Sequence, residues 1–236
     1  MSIKIITIDG PAGSGKSTIA KILAEKLDLT YINSGALYRA FSYWILQDKK
    51  FENYNKKDIA KMLENDNNEI FDKIKNFDLD YKWQNNKLFL YLDSKNITDL
   101  IRTEEISNFT SLISKNLKVR KFITDIQHKI ADKNNVIAEG RDSGTVVFPN
   151  ATKKFFLTAD LNERVRRRIL ELKKSGEVLD ENSKDEIQKI KEFIKNRDFQ
   201  DETREFAPLK KAKDAIEIDT TGKSIDEVVE IILEKI

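Results

Sequence analysis

The densest chemistry in this chain sits in residues 10–18, Gly10-Pro11-Ala12-Gly13-Ser14-Gly15-Lys16-Ser17-Thr18. The glycines allow backbone conformations a Cβ would forbid and turn several N–H groups toward one anion. Lys16 is a point charge able to reach the β- and γ-phosphates of a nucleotide, and the Ser17 hydroxyl suits a Mg²⁺ ion. The spacing matches the phosphate-loop pattern and predicts a nucleoside triphosphate held by residues 10–18, with Ser17 as the one assignable metal ligand. A second set is Glu139-Gly140-Arg141-Asp142. Carboxylates there can hold a metal-bound water, while Arg141 can grip a phosphate through its fork of donors. A tight turn with surface charges is the plainer alternative.

Three further groups carry charge in a usable pattern. Arg164, Arg166, Arg167 and Arg168 crowd one basic stretch, with Arg164 and Arg168 at i, i+4. Ile187, Ile190 and Ile194 begin a helical stripe whose continuation reads Arg197, Asp201 and Arg204, so one face starts as core and becomes charged, up to a break at Pro208. Ser34-Gly-Ala-Leu-Tyr38-Arg39 opens another helical pattern with Ser34 as a good N-cap. Tyr38 and Arg39 then lie near a strand's carboxyl end, where ligands bind in open α/β sheets; an ordinary amphipathic helix with a solvated arginine is the alternative. His128 is the only histidine and has no metal-ligand companions, so it is set aside.

These residues need a scaffold. The β-branched run Ile3, Ile5, Ile6, Ile8 fits a buried strand, and Ile19, Ile22, Leu23, Leu27 a helix, on either side of the loop. Thr30–Asn33, Asn135–Glu139, Lys153–Thr158 and Ala215–Asp219 read as strands. Between them lie helical patterns over 36–47, 101–131 in at least two pieces, and 162–174. Capping boxes at Ser183–Glu186 and Ser224–Glu227 open two more. Residues 49–76 are polar with a weak helix near Ile59–Leu63. Phe77, Leu79, Tyr81 and then Leu88, Leu90, Leu92 alternate about Gln84-Asn-Asn86, a hairpin riding on the main domain. Phe41 and Trp44 read as core. Strands alternating with helices predict an α/β fold, a parallel sheet with helices on both faces.

Composition bounds the rest. The 236 residues suit one domain with insertions, or two small ones, and 39% hydrophobic with 35% charged residues indicates a globular chain rather than disorder. Lys and Arg (42) nearly balance Asp and Glu (40), so no global field attracts nucleic acid. The absence of cysteine excludes disulfides, thiolate metal sites and a thiol nucleophile. The phosphate-loop strand at residue 3 predicts no N-terminal targeting segment, and no apolar run approaches the ~18 residues of a membrane span. The expectation is a cytoplasmic monomer with neither nucleic-acid nor membrane partners. A phosphate loop alone does not separate kinases from other nucleotide-hydrolysing proteins. The chain lacks the Asn-Lys-x-Asp guanine reader of GTPases and the apolar strand ending Asp-Glu of motor ATPases. It offers instead Arg39, Arg120, Arg141, Arg197 and Arg204 for a second, phosphorylated substrate. An anionic acceptor oxygen needs no strong base, so positioning and charge neutralisation by Lys16, Arg141, Arg197 and Arg204 can suffice.

The chain resembles the bacterial cytidylate kinases of the nucleoside monophosphate kinase group, over nearly its whole length. The resemblance runs through Ile8-Asp-Gly-Pro-Ala-Gly-Ser-Gly-Lys16, Ser34–Arg39, Ile101-Arg-Thr-Glu-Glu-Ile106, Gly140-Arg-Asp-Ser-Gly-Thr-Val-Val-Phe-Pro149 and Ala207-Pro-Leu209. The phosphate loop is general to many families; the segment 140–149 is specific. The resemblance implies a three-layer P-loop fold in a single domain spanning 1–236. It implies an antiparallel insertion for the monophosphate at 50–101 and a helical lid at 162–190. The implied reaction is ATP with CMP or dCMP giving ADP with CDP or dCDP, assisted by Mg²⁺. Carried over by position, Ser34, Tyr38, Arg39, Arg141 and Arg204 surround the CMP phosphate. Ser111, Arg120 and Asp142 read the cytosine edge, Arg197 and Asp201 hold the sugar, and the segment from Arg164 and Arg168 through Lys184 covers ATP. Three positions depart from the family's pattern: Asn33 and Glu139, each where Asp is usual, and Gln200, where Arg is usual. The first two bear on Mg²⁺, the third on charge near the donor phosphates. A kinase for UMP or a deoxynucleoside, and a regulatory module that binds nucleotide without turnover, are the alternatives; acceptor-dependent ADP release separates them.

Overall fold

The computed structural model describes residues 5–64, 68–174 and 183–236. Ile3 of the expected first strand, residues 65–67 of the expected insertion and residues 175–182 of the expected lid lie outside the described residues. In chain order the strands are β1 (Ile5–Asp9), β2 (Thr30–Asn33), β3 (Leu79–Gln84), β4 (Lys87–Leu92), β5 (Lys95–Asn96), β6 (Val136–Gly140), β7 (Lys153–Thr158) and β8 (Ile216–Asp219). The helices are α1 (Lys16–Lys26), α2 (Ser34–Gln47), α3 (Lys56–Glu64), α4 (Asn68–Lys73), α5 (Glu104–Ile113), α6 (Leu117–Ala131), α7 (Leu161–Lys174), α8 (Lys184–Thr203) and α9 (Ile225–Leu233). They form two compact units, Met1–Ile32 with Asn134–Ile236, and Asn33–Lys133.

The first unit is built on a parallel sheet in the order β2-β6-β1-β7-β8. Its strands read as near-continuous apolar runs because helices cover both faces: Ile6, Ile8, Val136, Ile137 and Ala138 are fully buried. β1 lies between β6 and β7, with Asp9 opposite Gly140 on one side and Phe156 on the other. The carboxyl ends of β1 and β6 therefore finish level, so the phosphate loop and Arg141 start side by side. α1 packs against β6 and α9. The Ser224–Glu227 capping box is complete: the hydroxyl accepts from the Glu227 N–H at 3.2 Å, and the Glu227 carboxylate from the Ser224 N–H at 2.7 Å. Ser183 accepts from the Glu186 N–H at 3.4 Å and so starts α8.

The second unit packs α2 against α5 and α6 through Phe41, Phe109 and Ile123, each fully buried. Phe41, Trp44, Phe77 and Phe122 form one ring cluster with centroids 5.4–5.6 Å apart, which accounts for the core reading of Phe41 and Trp44. Asn85 and Asn86 both take positive φ, 50° and 59°, as a two-residue hairpin between β3 and β4 requires. A second such turn, Asp93-Ser94 at 48° and 65°, adds β5, so the expected hairpin is a three-stranded antiparallel sheet. Two helices, α3 and α4, occupy the stretch expected to hold one weak helix. The cap of α2 is Asn33, whose side chain accepts from the Ala36 N–H at 2.7 Å, and Ser34 is the first helical residue. Both residue types cap well, and the backbone turned one residue earlier. No helix among the described residues is long and apolar enough to cross a membrane.

Candidate active site

Gly10 shows why the loop tolerates no side chain at its entry. Its φ is +148°, and a Cβ there would lie 2.1 Å from the Leu157 carbonyl oxygen of β7. The loop ends at Gly15, the N-cap of α1, which has no side chain to accept from the helix's first turn. Helix N–H groups and the positive end of the dipole therefore remain turned toward the loop, the arrangement an anion uses. Lys16 is 5% exposed, and its Nζ donates to the Pro11 carbonyl at 2.6 Å and the Ser14 hydroxyl at 3.3 Å. Burial, and then the charge of Arg141, pull its pKa down to about 7, with Glu139 and Asp9 pulling the other way.

Ser17 donates its hydroxyl proton to Glu139 Oε1 at 2.8 Å, and Tyr31 donates to the same oxygen at 3.1 Å. Glu139 is 6% exposed. A hydroxyl and a carboxylate side by side at the start of α1 are hard oxygen donors, a set that suits a small divalent cation. The longer side chain of Glu139, relative to Asp, thus still reaches Ser17.

β6 continues into Arg141 and Asp142, then into one π-helical turn over Ser143–Val147. The 140–149 segment owes its shape to Asp9, a residue that the sequence reading passed over. Its carboxylate accepts from the Ser143 N–H at 2.9 Å and the Gly144 N–H at 2.7 Å, tying the end of β1 to this turn. Burial raises the Asp9 pKa to about 6 despite those two hydrogen bonds. Arg141 donates from Nε to Asp201 at 2.7 Å, and Arg204 donates to Asp142 at 3.2 Å and lies 3.8 Å from Asp201. Arg141, Asp142, Asp201 and Arg204 thus form one network of alternating charge.

The expected charged face of α8 needs correction. The helix ends at Thr203, and Arg204 is its cap in extended conformation, held by the Ala207 carbonyl. The buried positions are Ile194 and Asp198, with Asp201 next along that face. Arg197 is half-buried and lies roughly 100° round the helix from Asp198. Asp198 accepts from the Ala12 N–H at 3.0 Å and pairs with Arg164. Of the two arginines expected at the donor, Arg164 reaches the loop, donating to the Ala12 carbonyl at 3.1 Å. Arg168 pairs with Glu171 at 2.7 Å instead. Arg167, named from sequence only as a member of the basic stretch, donates to Thr220, and Thr220 in turn bonds the Ser14 carbonyl at 3.3 Å. Gln200 is exposed.

In the second unit, Tyr38 and Arg120 come together: both are buried, and the Arg120 guanidinium lies 5.8 Å from the Tyr38 ring centroid. Arg120 also donates to the Ser114 carbonyl at 3.0 Å. Ser111 donates to Ser107 within α5 at 3.1 Å, and Ser34 and Arg39 are half-buried on α2.

The chain matches the cytidylate kinase family over residues 6–236. It is 45% identical over 232 residues to a cytidylate kinase of Clostridioides difficile (strain 630), covering 98% of this chain and 97% of that one. It is 46% identical over 228 residues to a cytidylate kinase of Alkaliphilus oremlandii (strain OhILAs), covering 97% and 95%. Among solved structures, an uncharacterized protein from Eubacterium ventriosum shares the fold with a TM-score of 0.51 at 14% identity, covering 98% of this chain and 96% of that one. By its phosphate loop, its 140–149 turn and these relatives, the chain belongs to the cytidylate kinase family of enzymes.

Proposed function

We propose that this enzyme transfers the γ-phosphoryl group of ATP to CMP or dCMP, giving ADP with CDP or dCDP, as a cytoplasmic monomer. The observation that carries the reading is the level finish of β1 and β6, which sets Lys16 and the phosphate loop beside the Arg141–Asp201 and Arg204–Asp142 pairs. Residues 10–18 would hold the triphosphate, with Lys16 on its β- and γ-phosphates and Arg164 on the donor side. Ser34, Tyr38, Arg39, Arg141 and Arg204 would hold the acceptor phosphate, Ser111, Arg120 and Asp142 the base, and Arg197 with Asp201 the sugar. Mg²⁺ would be held by Ser17 with Glu139 behind it, and would neutralise charge on the donor phosphates. The acceptor oxygen is already anionic, so the protein has no strong base to supply; its cations offset charge as the phosphoryl group moves. Residues 50–101 would serve the monophosphate, and 162–190 would cover ATP. The test is ADP release with ATP and each nucleoside monophosphate in turn. Fast release with CMP and dCMP supports the reading, and release independent of CMP overturns it.

Two measurements probe individual residues. Arg204→Lys keeps the charge but loses the planar fork that serves Asp142 and Asp201 together. Its kcat/KM for CMP should fall about tenfold while ATP affinity holds. Equal losses for both nucleotides, by calorimetry, would place Arg204 on the donor side.

The second concerns protons. Lys16, with its pKa near 7, is mostly neutral at pH 8, and a triphosphate beside it favours the charged form. ATP binding at pH 8 should therefore take up to about one proton from the buffer. Calorimetry in buffers of different ionisation enthalpy reads that number directly. The uptake should vanish in Lys16→Met; uptake that persists there belongs to another group.

A further inference from the structure

Ala12 has both its backbone polar groups taken by side chains from two different helices. Its N–H donates to Asp198 Oδ1 of α8 at 3.0 Å, and its carbonyl accepts from Arg164 Nη1 of α7 at 3.1 Å. The same guanidinium nitrogen donates to Asp198 Oδ2, so the three groups close a ring of hydrogen bonds. The ring is sheltered, the Arg164 and Asp198 side chains each being 12% exposed. Arg164 Nε is fixed in turn by the Ala159 carbonyl at 3.1 Å. The next loop residue, Gly13, has φ +75°, and a Cβ on it would lie 3.1 Å from Arg164 Cβ, so Arg164 packs directly on the loop backbone.

A carboxylate and a guanidinium taken this far out of water must each keep a partner in good geometry. Because one partner of each is the same peptide residue, the pair fixes the orientation of the loop at Ala12. That orientation bears on how the following N–H groups face an anion. One turn farther along α8, Asp201 holds Arg141.

We propose that Asp198, acting with Arg164, is a positioning residue that sets the phosphate loop in the conformation that binds the nucleoside triphosphate. This rests on the reading of residues 10–18 as the donor site. Asp198 does not touch the reacting atoms; its effect passes through the loop backbone.

Calorimetric titration of ATP and of CMP, each against the wild type, Asp198→Ala and Asp198→Asn, tests the proposal, with thermal unfolding as a check on folding. Asp198→Ala should weaken ATP binding about tenfold and CMP binding by less than about twofold, since a charge-assisted hydrogen bond to the loop is lost. Asp198→Asn keeps an oxygen for the Ala12 N–H and should fall between wild type and Asp198→Ala. Arg164→Lys, which cannot fork between the Ala12 carbonyl and Asp198, should show the same ATP-selective loss, and it decides the matter if Asp198→Ala does not fold. Equal weakening of both nucleotides, or unchanged ATP affinity in a folded variant, overturns the proposal. If CMP supports no turnover but ATP binding still depends on Asp198, the acceptor assignment fails and this inference stands. If the wild type does not bind ATP, the donor-site reading fails with it.

Discussion

Lys16→Ala should lower phosphoryl transfer about a thousandfold or more while leaving the fold in place. Lys16 is the one ammonium inside the phosphate loop, held by the Pro11 carbonyl and the Ser14 hydroxyl. Electrostatic groups preorganised in a water-poor site are worth far more than the same groups in solvent. The fold should survive because a buried ammonium is a cost to the folded state. The pKa falls from 10.5 to about 7, so between those values the unfolded chain holds a proton that the folded chain has lost, and stability rises with pH across that window. Below about pH 7 the folded chain must bury the charge. Lys16→Met, which fills the space without the charge, should therefore melt at or above the wild-type temperature at pH 6–7. Near-normal kcat in a folded Lys16→Ala would remove the loop from the chemistry.

The frame of the site was legible because it depends on local pattern. A β-branched run, three glycines at fixed offsets and a helical repeat define strand, loop and helix without any distant contact. The hairpin about Asn85-Asn86 was legible for the same reason, since asparagine takes positive φ cheaply. Asp93-Ser94 makes an equivalent turn, but that pair is equally at home in an open loop, and so β5 escaped notice.

Two of the buried carboxylates were not legible. Asp9 and Asp198 each look like any surface acid, and what distinguishes them is a partner far away in sequence. Asp9 finds Ser143 and Gly144, and Asp198 finds Ala12 and Arg164, whereas Glu139 stood out by its place beside Gly140-Arg141-Asp142 and only its partners Ser17 and Tyr31 did not. On α8 the period of 3.6 allows either Arg197 or Asp198 to follow Ile194 on the inner face. Only tertiary packing decides between i+3 and i+4, and it chose the residue with a backbone N–H and a guanidinium waiting. The arginine-rich α7 poses the same problem: spacing groups Arg164 with Arg168, whereas partners send Arg164 and Arg167 inward and leave Arg168 with Glu171.

Base choice is where the second large effect is expected. Cytosine presents an exocyclic amine where uracil presents a carbonyl oxygen, and a carboxylate can accept a hydrogen bond only from the former. Asp142 is 6% exposed, and its Oδ1 accepts from Arg204. Two roles therefore fall on one carboxylate, holding Arg204 and, in the proposed function, reading the base. Asp142→Ala removes both and should lower kcat/KM for CMP about a hundredfold, because the cytosine amine loses its acceptor and Arg204 keeps only the Ala207 carbonyl and Asp201 of the partners described above. Asp142→Asn separates them. Its oxygen can still accept from Arg204, while its amide would meet the cytosine amine donor to donor and the uracil carbonyl donor to acceptor. The asparagine variant should thus lose CMP turnover, gain relative to wild type on UMP, and shrink the preference by tens- to about a hundredfold. Steady-state kinetics on the two acceptors at saturating ATP measures the ratio. If the variants lose activity on CMP and UMP by the same factor, Asp142 serves Arg204 alone, and the base reader must be sought at Ser111 and Arg120.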